Sequence, residues 1–203
     1  LGSHLNIIED LLMKVLKALS LVRRSRLLLI RNNRSFLNEI NSVNQNWKSN
    51  SRIFGAAIEM WVEKNLNCEC SGIFINQKAN QKAYDAICNK CSKKIQIKAS
   101  KKIFKPNKNG ELKILGSEYK TTLKSLNESN GWDLYLLAYN LEDYKIEQIL
   151  MIKSSDINEE CVIPRKKLGP NARRAGWQGC YMSFNWNDSV NVIYNKLSFD
   201  KTN

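Results

Sequence analysis

The chain has 203 residues, a hydrophobic content of 43% and a formal net charge of +13. This hydrophobic content supports a packed core and excludes a wholly disordered protein. A positive surplus of this size favours a polyanionic partner, either nucleic acid or a membrane surface, over a basic protein with no such role. No stretch approaches the roughly 18 apolar residues of a membrane span, so we predict nucleic acid and no membrane as the partner.

The first 46 residues predict an N-terminal helical extension. Residues 1–4, LGSH, are typical of a tag remnant, so we exclude the only histidine, His4, from any catalytic site. Apolar residues from Leu5 to Ala18 recur near a 3.6-residue period. Ser35 offers a further helix start, with Glu39 one place too late for an ideal capping box. We expect a small helical bundle or a dimerisation arm.

From residue 47 onward the predicted elements alternate between helices and strands. An amphipathic helix over 50–65 has Ser51 as its N-cap, and a second helix opens at Ser117. Turn residues occupy 107–110, and the apolar runs DLYLLAY and KIEQILMI, with the aromatic GCYMSFNWN, predict strands. The order of helix, strands, helix and strands predicts an α+β fold with a mixed sheet flanked by helices.

Four of the six cysteines form two close pairs. Cys68 and Cys70 are spaced C-x-C, Cys88 and Cys91 are spaced C-x-x-C, and 17 residues separate the pairs. Without a secretion signal, disulfides are disfavoured. In a reducing compartment the pairs indicate a closed tetrahedral zinc site with a structural role. Four reduced, buried cysteines are the alternative.

An acid, a glutamine and a lysine around the second cysteine pair indicate metal-dependent hydrolysis of a phosphodiester. If Asp85 lies on one strand and residues 96–98 lie on the next, alternation places Gln96 and Lys98 on one face near Asp85. Asp85 and Gln96 would then offer oxygen ligands to magnesium. Lys98 would orient the attacking water and offset charge in the transition state, unless it is only part of a solvated strand face.

In these motifs the chain resembles the catalytic domain of DpnI-type restriction endonucleases, which are members of the PD-(D/E)XK nuclease superfamily. The matching stretches are WKSNS at 47–51, IEMWV at 58–62, YDAICNKCSKKIQIK at 84–98 and NARRAGWQGC at 171–180. The resemblance implies a nuclease domain over 47–203 with a zinc-binding insert at 68–91. With no signal peptide in the sequence, it also implies a cytoplasmic bacterial protein.

Position by position, the resemblance implies that Asp85 is the metal-binding acid, Gln96 the second ligand, Lys98 the catalytic lysine and Glu59 an acid from the first helix. Three features depart from the family pattern. Gln96 replaces the usual glutamate, the first cysteine pair is one residue shorter than the family's C-x-x-C, and the chain ends without room for a C-terminal winged-helix domain.

The DNA-contacting residues are predicted from basic residues that surround an aromatic one. Arginine reads guanine through two hydrogen bonds, and an apolar ring contacts a methyl group. The resemblance implies double-stranded GATC sites with 6-methyladenine as the target. The alternatives are a methylation-independent GATC endonuclease, a non-cutting zinc-stabilised DNA-binding protein, and a basic structural protein that binds RNA; a homodimer on DNA is left open. The predicted DNA contacts are Lys101, Lys102, Arg165, Lys166, Lys167, Arg173, Arg174 and Trp177.

Overall fold

The computed structural model describes residues 33–43, 50–77, 84–128 and 131–196. Its helices are α1 (Leu37–Ser42), α2 (Asn50–Asn65), α3 (Tyr119–Glu128) and α4 (Trp186–Ser189), with 3-10 turns at Ser154–Asp156 and Glu159–Cys161. Its strands are β1 (Phe74–Asn76), β2 (Ala86–Cys88), β3 (Lys94–Ser100), β4 (Glu111–Glu118), β5 (Asp133–Tyr139), β6 (Ile146–Ile152), β7 (Val162–Pro164), β8 (Gly179–Asn185) and β9 (Val190–Asn195). No helix in these ranges has the length and hydropathy of a membrane span.

The strands form one large mixed sheet and one small antiparallel sheet. The large sheet has the order β1-β2-β3-β5-β6-β9, and the small sheet has the order β4-β8-β7. Only β3 and β5 run parallel in the large sheet, while its other neighbouring strands are antiparallel. The predicted α+β fold with a mixed sheet and flanking helices is therefore confirmed.

Each face of the large sheet buries its own apolar cluster. On one face, Ile95 and Ile97 pack with Ile58 and Trp61 of α2. On the other face, strand β5 packs against inward residues of the small sheet, such as Leu112 and Met182. Strand β5 is buried along its whole length, because both of its faces are covered.

The helices and strands predicted from residue 50 onward are found with small shifts at their starts. Helix α2 begins at Asn50, so Ser51 lies inside its first turn and is not the N-cap. Helix α3 begins at Tyr119 and not at Ser117, because β4 continues through Glu118, which pairs with Gly179 of β8. The predicted turn at 107–110 is present, with the Gly110 N–H donating to the Asn107 carbonyl.

Residues 1–32 and 44–49, which include most of the predicted N-terminal extension, lie outside the described ranges. The described part packs onto α2: the Trp61 indole N–H donates to the Arg34 carbonyl over 2.8 Å, and Lys64 pairs with the buried Glu39 at 2.8 Å. Glu39 therefore binds α2 and does not cap α1. The Leu37 N–H donates to Ser35 Oγ over 3.3 Å, which places the helix start close to the predicted position.

Candidate active site and metal centre

The β2–β3 hairpin brings the predicted catalytic residues together. Asp85 lies one residue before β2, and its N–H donates to the Ile95 carbonyl, so the pairing of the two strands continues through it. Gln96 and Lys98 lie beside Leu134 and Leu136 of β5, which belong to the cluster under the small sheet. Both side chains are thus on the face opposite to Ile97, as strand alternation predicts.

Two N–H groups hold the Asp85 carboxylate. The Gln96 side-chain amide donates to Asp85 Oδ2 over 2.6 Å, and the Ile97 main-chain N–H donates to the same oxygen over 2.6 Å. Sequence analysis did not identify Ile97, because a main-chain donor has no residue signature. Its only sequence signal is the register of the hairpin. The two bonds fix the orientation of the carboxylate before any ligand binds.

Glu59 on α2 completes a group of two acids and one lysine. Burial, and then the charge of Asp85, raise the pKa of Glu59 from its ordinary value of 4.5 to about 7, while Lys98 opposes the shift. Burial also raises the pKa of Asp85, and the hydrogen bond from Ile97, the charge of Lys98 and the hydrogen bond from Gln96 oppose it. The three side chains therefore share one electrostatic environment, as their predicted roles require.

The donor set around Asp85 fits a hard divalent cation. Two carboxylates and an amide oxygen are the ligand types that magnesium prefers. Burial disfavours the ionised form of both Glu59 and Asp85, because it removes water from the charged carboxylates. A bound cation would offset that cost, because it favours the charged form of each acid.

All four predicted zinc ligands converge at one point beside the hairpin. The Sγ atoms of Cys68, Cys70, Cys88 and Cys91 lie within 4.8 Å of one another. The separation is 3.6 Å for Cys68–Cys91 and 3.4 Å for Cys70–Cys88. A tetrahedral zinc with bonds of about 2.3 Å places its sulfurs about 3.8 Å apart. The cluster therefore has the geometry of a closed metal site with four thiolate ligands, and the short C-x-C spacing does not prevent it.

The backbone around the cysteines is shaped to bring the two pairs together. The backbone at Gly72 passes so close to Cys88 that a Cβ at this position would lie 2.5 Å from Cys88 Sγ, so a larger residue would collide with the sulfur. The Lys90 N–H donates to the same sulfur over 3.4 Å. Burial raises the pKa of the Cys68 thiol, so a bound cation would be needed to hold this thiol as a thiolate.

A lysine that the sequence analysis missed ties the cysteine cluster to the centre of the sheet. Lys93 Nζ lies 2.8 Å from Glu69 and 3.1 Å from the buried Asp133, which begins β5. Because Lys93 directly follows the C-x-x-C turn, these ion pairs fix the hairpin against the strand beside it. Among the many lysines of this region, spacing alone gave no reason to single it out.

The predicted DNA-contacting residues divide into two groups in the structure. The β7–β8 connection exposes the four basic residues Lys166, Lys167, Arg173 and Arg174. Trp177 on the same connection is half-buried, and the Arg174 guanidinium lies 4.5 Å from the centroid of its ring. Lys101 and Lys102 follow β3 and are also exposed, and Lys101 Nζ lies 5.6 Å from the Phe54 ring. Arg165, at the start of the connection, lies 5.1 Å over the Tyr181 ring.

Comparison with protein-family models matches residues 36–201 to the Dam-replacing family, DpnI. The match covers the described part of α1, both sheets, the acidic site and the cysteine cluster. It therefore includes every predicted catalytic, metal-binding and DNA-contacting residue.

Proposed function

Because the chain belongs to the Dam-replacing (DpnI) family of restriction endonucleases, we propose that it hydrolyses double-stranded DNA with a magnesium ion at GATC sites that carry 6-methyladenine. The observation that carries the proposal is the orientation of Asp85 by Gln96 and Ile97, next to Glu59 and Lys98. An ordinary surface aspartate on a basic strand has no reason to be held in this way.

In this proposal Asp85 and the Gln96 amide oxygen hold the cation, and Glu59 adds a second carboxylate. A divalent cation there supplies charge stabilisation of the phosphate and a more acidic attacking water. Lys98, whose charge acts on both acids, orients the water and offsets the charge that develops on the phosphate.

The cysteine cluster has a structural role in the proposal. Four thiolates fill the coordination sphere of zinc, so no position remains for substrate. The cluster braces the turn between β2 and β3, and with it the strand that carries Gln96 and Lys98. Zinc thereby supports the active site without entering the reaction.

The basic residues supply the DNA-binding surface. Between Asp85 and Glu111 the chain has eight lysines and no acidic residue, and between Glu160 and Asp188 it has five basic residues and no acidic one. The positive charge of these stretches complements the negative charge of the phosphate backbone. Trp177, within the second stretch, supplies an apolar ring for the methyl groups of the two adenines.

Gln96 itself favours one second candidate, a DNA-binding protein that does not cut. An amide brings less negative charge to the cation than a glutamate would. Incubation of supercoiled plasmid with and without magnesium separates the two functions: an endonuclease converts the plasmid to nicked and linear forms only with the metal. If DNA is bound but stays supercoiled, the second candidate is correct.

Sensing of the methyl group by Trp177 has its own test. Trp177→Ala should reduce the ratio of cleavage rates on methylated and unmethylated GATC more than it slows cleavage overall. Contact with a methyl group is worth on the order of 1 kcal/mol, so two contacts give roughly a tenfold to hundredfold preference. An equal loss on both substrates would contradict a contact between Trp177 and the methyl groups.

A further inference from the structure

The connection between β7 and β8, residues 165–178, is a loop whose two arms are hydrogen-bonded to each other, and we call it the ribbon. The Arg165 N–H donates to the Gly179 carbonyl over 2.8 Å, which extends the pairing of Pro164 with Cys180. Further out, the Leu168 N–H donates to the Trp177 carbonyl, and the Gly176 N–H donates to the Leu168 carbonyl. The basic residues are thus carried on a hydrogen-bonded scaffold that projects from the small sheet.

This ribbon has the shape and charge of an element that enters a DNA groove. The major groove of B-form DNA admits a two-stranded β-ribbon. Residues 165–178 are exposed apart from three half-buried positions, Ala172, Trp177 and Gln178. They include five arginines and lysines and no acidic residue, so nothing on the ribbon repels phosphate.

The ring of Trp177 is fixed against the backbone of its own ribbon. A Cβ built on Gly179 would lie 2.7 Å from the ring, so only glycine lets the indole lie so close at this position. The Arg174 guanidinium lies 4.5 Å from the ring centroid. A planar guanidinium stacks on an aromatic face, which restricts its rotamers before DNA binds.

We propose that Arg174 is the residue that reads guanine in the target site, and that Trp177 is a positioning residue that holds its guanidinium. The proposal rests on the proposed function, because GATC supplies one guanine per strand. A guanidinium donates two hydrogen bonds to guanine O6 and N7. Stacking it in advance lowers the entropy lost when those bonds form.

Arg165 has a different place on the same ribbon. It stacks on Tyr181 at 5.1 Å, and its carbonyl accepts a hydrogen bond from the Gln178 side chain over 2.8 Å. This position is at the base of the ribbon, next to β7, where the ribbon leaves the sheet. We assign Arg165 to the phosphate backbone, because the base of an inserted ribbon lies beside the strands that border the groove.

The test compares the DNA affinities of protein variants for duplexes with and without a modified base, as in a double-mutant cycle. Affinities are measured without magnesium so that no DNA is cut. The probes are a methylated GATC duplex, the same duplex with 7-deazaguanine in place of its two GATC guanines, and a scrambled duplex. Removal of N7 should weaken wild-type binding roughly tenfold. Arg174→Met, which keeps the length of the side chain but has no donor, and Trp177→Leu should bind both GATC duplexes equally. Trp177→Phe, which keeps a ring, should retain most of the difference.

Two matched controls separate reading of the base from general attraction to DNA. Arg173→Ala removes the neighbouring charge and should weaken binding to every duplex alike, leaving the effect of 7-deazaguanine intact. Arg165→Ala should do the same and lower the salt dependence of binding by about one counterion. If Arg173→Ala and not Arg174→Met removes the sensitivity to 7-deazaguanine, the assignment of Arg174 is wrong.

The outcomes distinguish this proposal from the proposed function. A wild-type protein that prefers GATC, but whose Arg174→Met variant keeps the full penalty for 7-deazaguanine, contradicts the role of Arg174 alone. A wild-type protein that binds scrambled and GATC duplexes equally contradicts both site-specific cleavage and guanine reading. A Trp177→Leu variant that retains the penalty contradicts the positioning role of Trp177.

Discussion

The side-chain amide of Gln96 donates a hydrogen bond to Oδ2 of Asp85 over 2.6 Å. The carboxylate form of a glutamate at this position could not donate. The amide therefore orients the neighbouring carboxylate through its nitrogen, and its oxygen is of the type that binds a hard cation. A glutamine at 96 is thus compatible with a working metal site.

We predict that Gln96→Glu keeps or raises magnesium-dependent cleavage. The substitution removes the side-chain hydrogen bond to Asp85, but the Ile97 N–H still holds that carboxylate. The ligand oxygen is retained, and the added negative charge strengthens binding of the cation. Gln96→Met, which has similar length and no amide, should lower the rate by roughly tenfold or more. Initial cleavage rates as a function of magnesium concentration measure both effects. Wild-type rates in Gln96→Met would show that the amide contributes nothing to the site.

Asp85→Ala should abolish cleavage, because it removes the oriented carboxylate. Lys98→Ala should reduce the cleavage rate roughly a hundredfold or more, because it removes the charge beside the phosphate. DNA binding should be largely preserved in Lys98→Ala. Lys145→Ala, an exposed lysine in the β5–β6 turn, is the control for loss of one positive charge. Unaltered cutting by Asp85→Ala would place the active site elsewhere.

Glu59 makes the stability of the magnesium-free protein depend on pH. Its pKa is about 7 in the folded protein and 4.5 ordinarily, so its favourable contribution is present below pH 4.5 and is lost as the pH rises through 7. Glu59→Gln should therefore raise the free energy of unfolding above pH 7, by about 1–3 kcal/mol, with little effect near pH 4.5.

Urea unfolding at pH 5 and pH 8, with zinc retained, measures this difference. Glu142→Gln, at an exposed position in the β5–β6 turn, should give the same change in stability at both values of pH. If Glu59→Gln also gives equal changes, Glu59 does not change its protonation in this range.

The cysteine cluster predicts about one zinc per chain by elemental analysis. Cys88→Ser removes a ligand and should destabilise the fold strongly, because metal binding and folding are coupled. Cys161→Ser is the matched control, since Cys161 lies outside the cluster and its thiol donates to the Asp156 carbonyl. A folded protein free of zinc, or equal effects of the two substitutions, would contradict a zinc site.

The parts of the fold and site that the sequence predicted are those that depend on local patterns. Alternation along β3 placed Gln96 and Lys98 on one face, and the paired spacing of cysteines predicted a cluster that forms in space. The start of α3 was placed two residues early, because the pairing of Glu118 with Gly179 lies far away in the sequence.

Other features depend on contacts that a linear pattern does not contain. The Ile97 N–H reaches Asp85 only because of the register between β2 and β3. Trp177 can approach its own ribbon closely because a glycine lies beneath it at 179, and the basic motif alone gave no sign of this contact. Ion pairs of Lys93 likewise follow from the position of β5 beside β3.

The most direct test of the central claim is a plasmid digestion. One plasmid is prepared with its GATC adenines methylated and again with them unmethylated. Each preparation is incubated with the wild-type protein and with Asp85→Ala. The predicted result is magnesium-dependent fragmentation at GATC sites of the methylated plasmid by the wild-type protein, much slower cutting of the unmethylated plasmid, and no cutting by Asp85→Ala. Equal cutting of both plasmids would contradict methylation dependence, and an intact methylated plasmid with magnesium present would contradict the endonuclease activity itself.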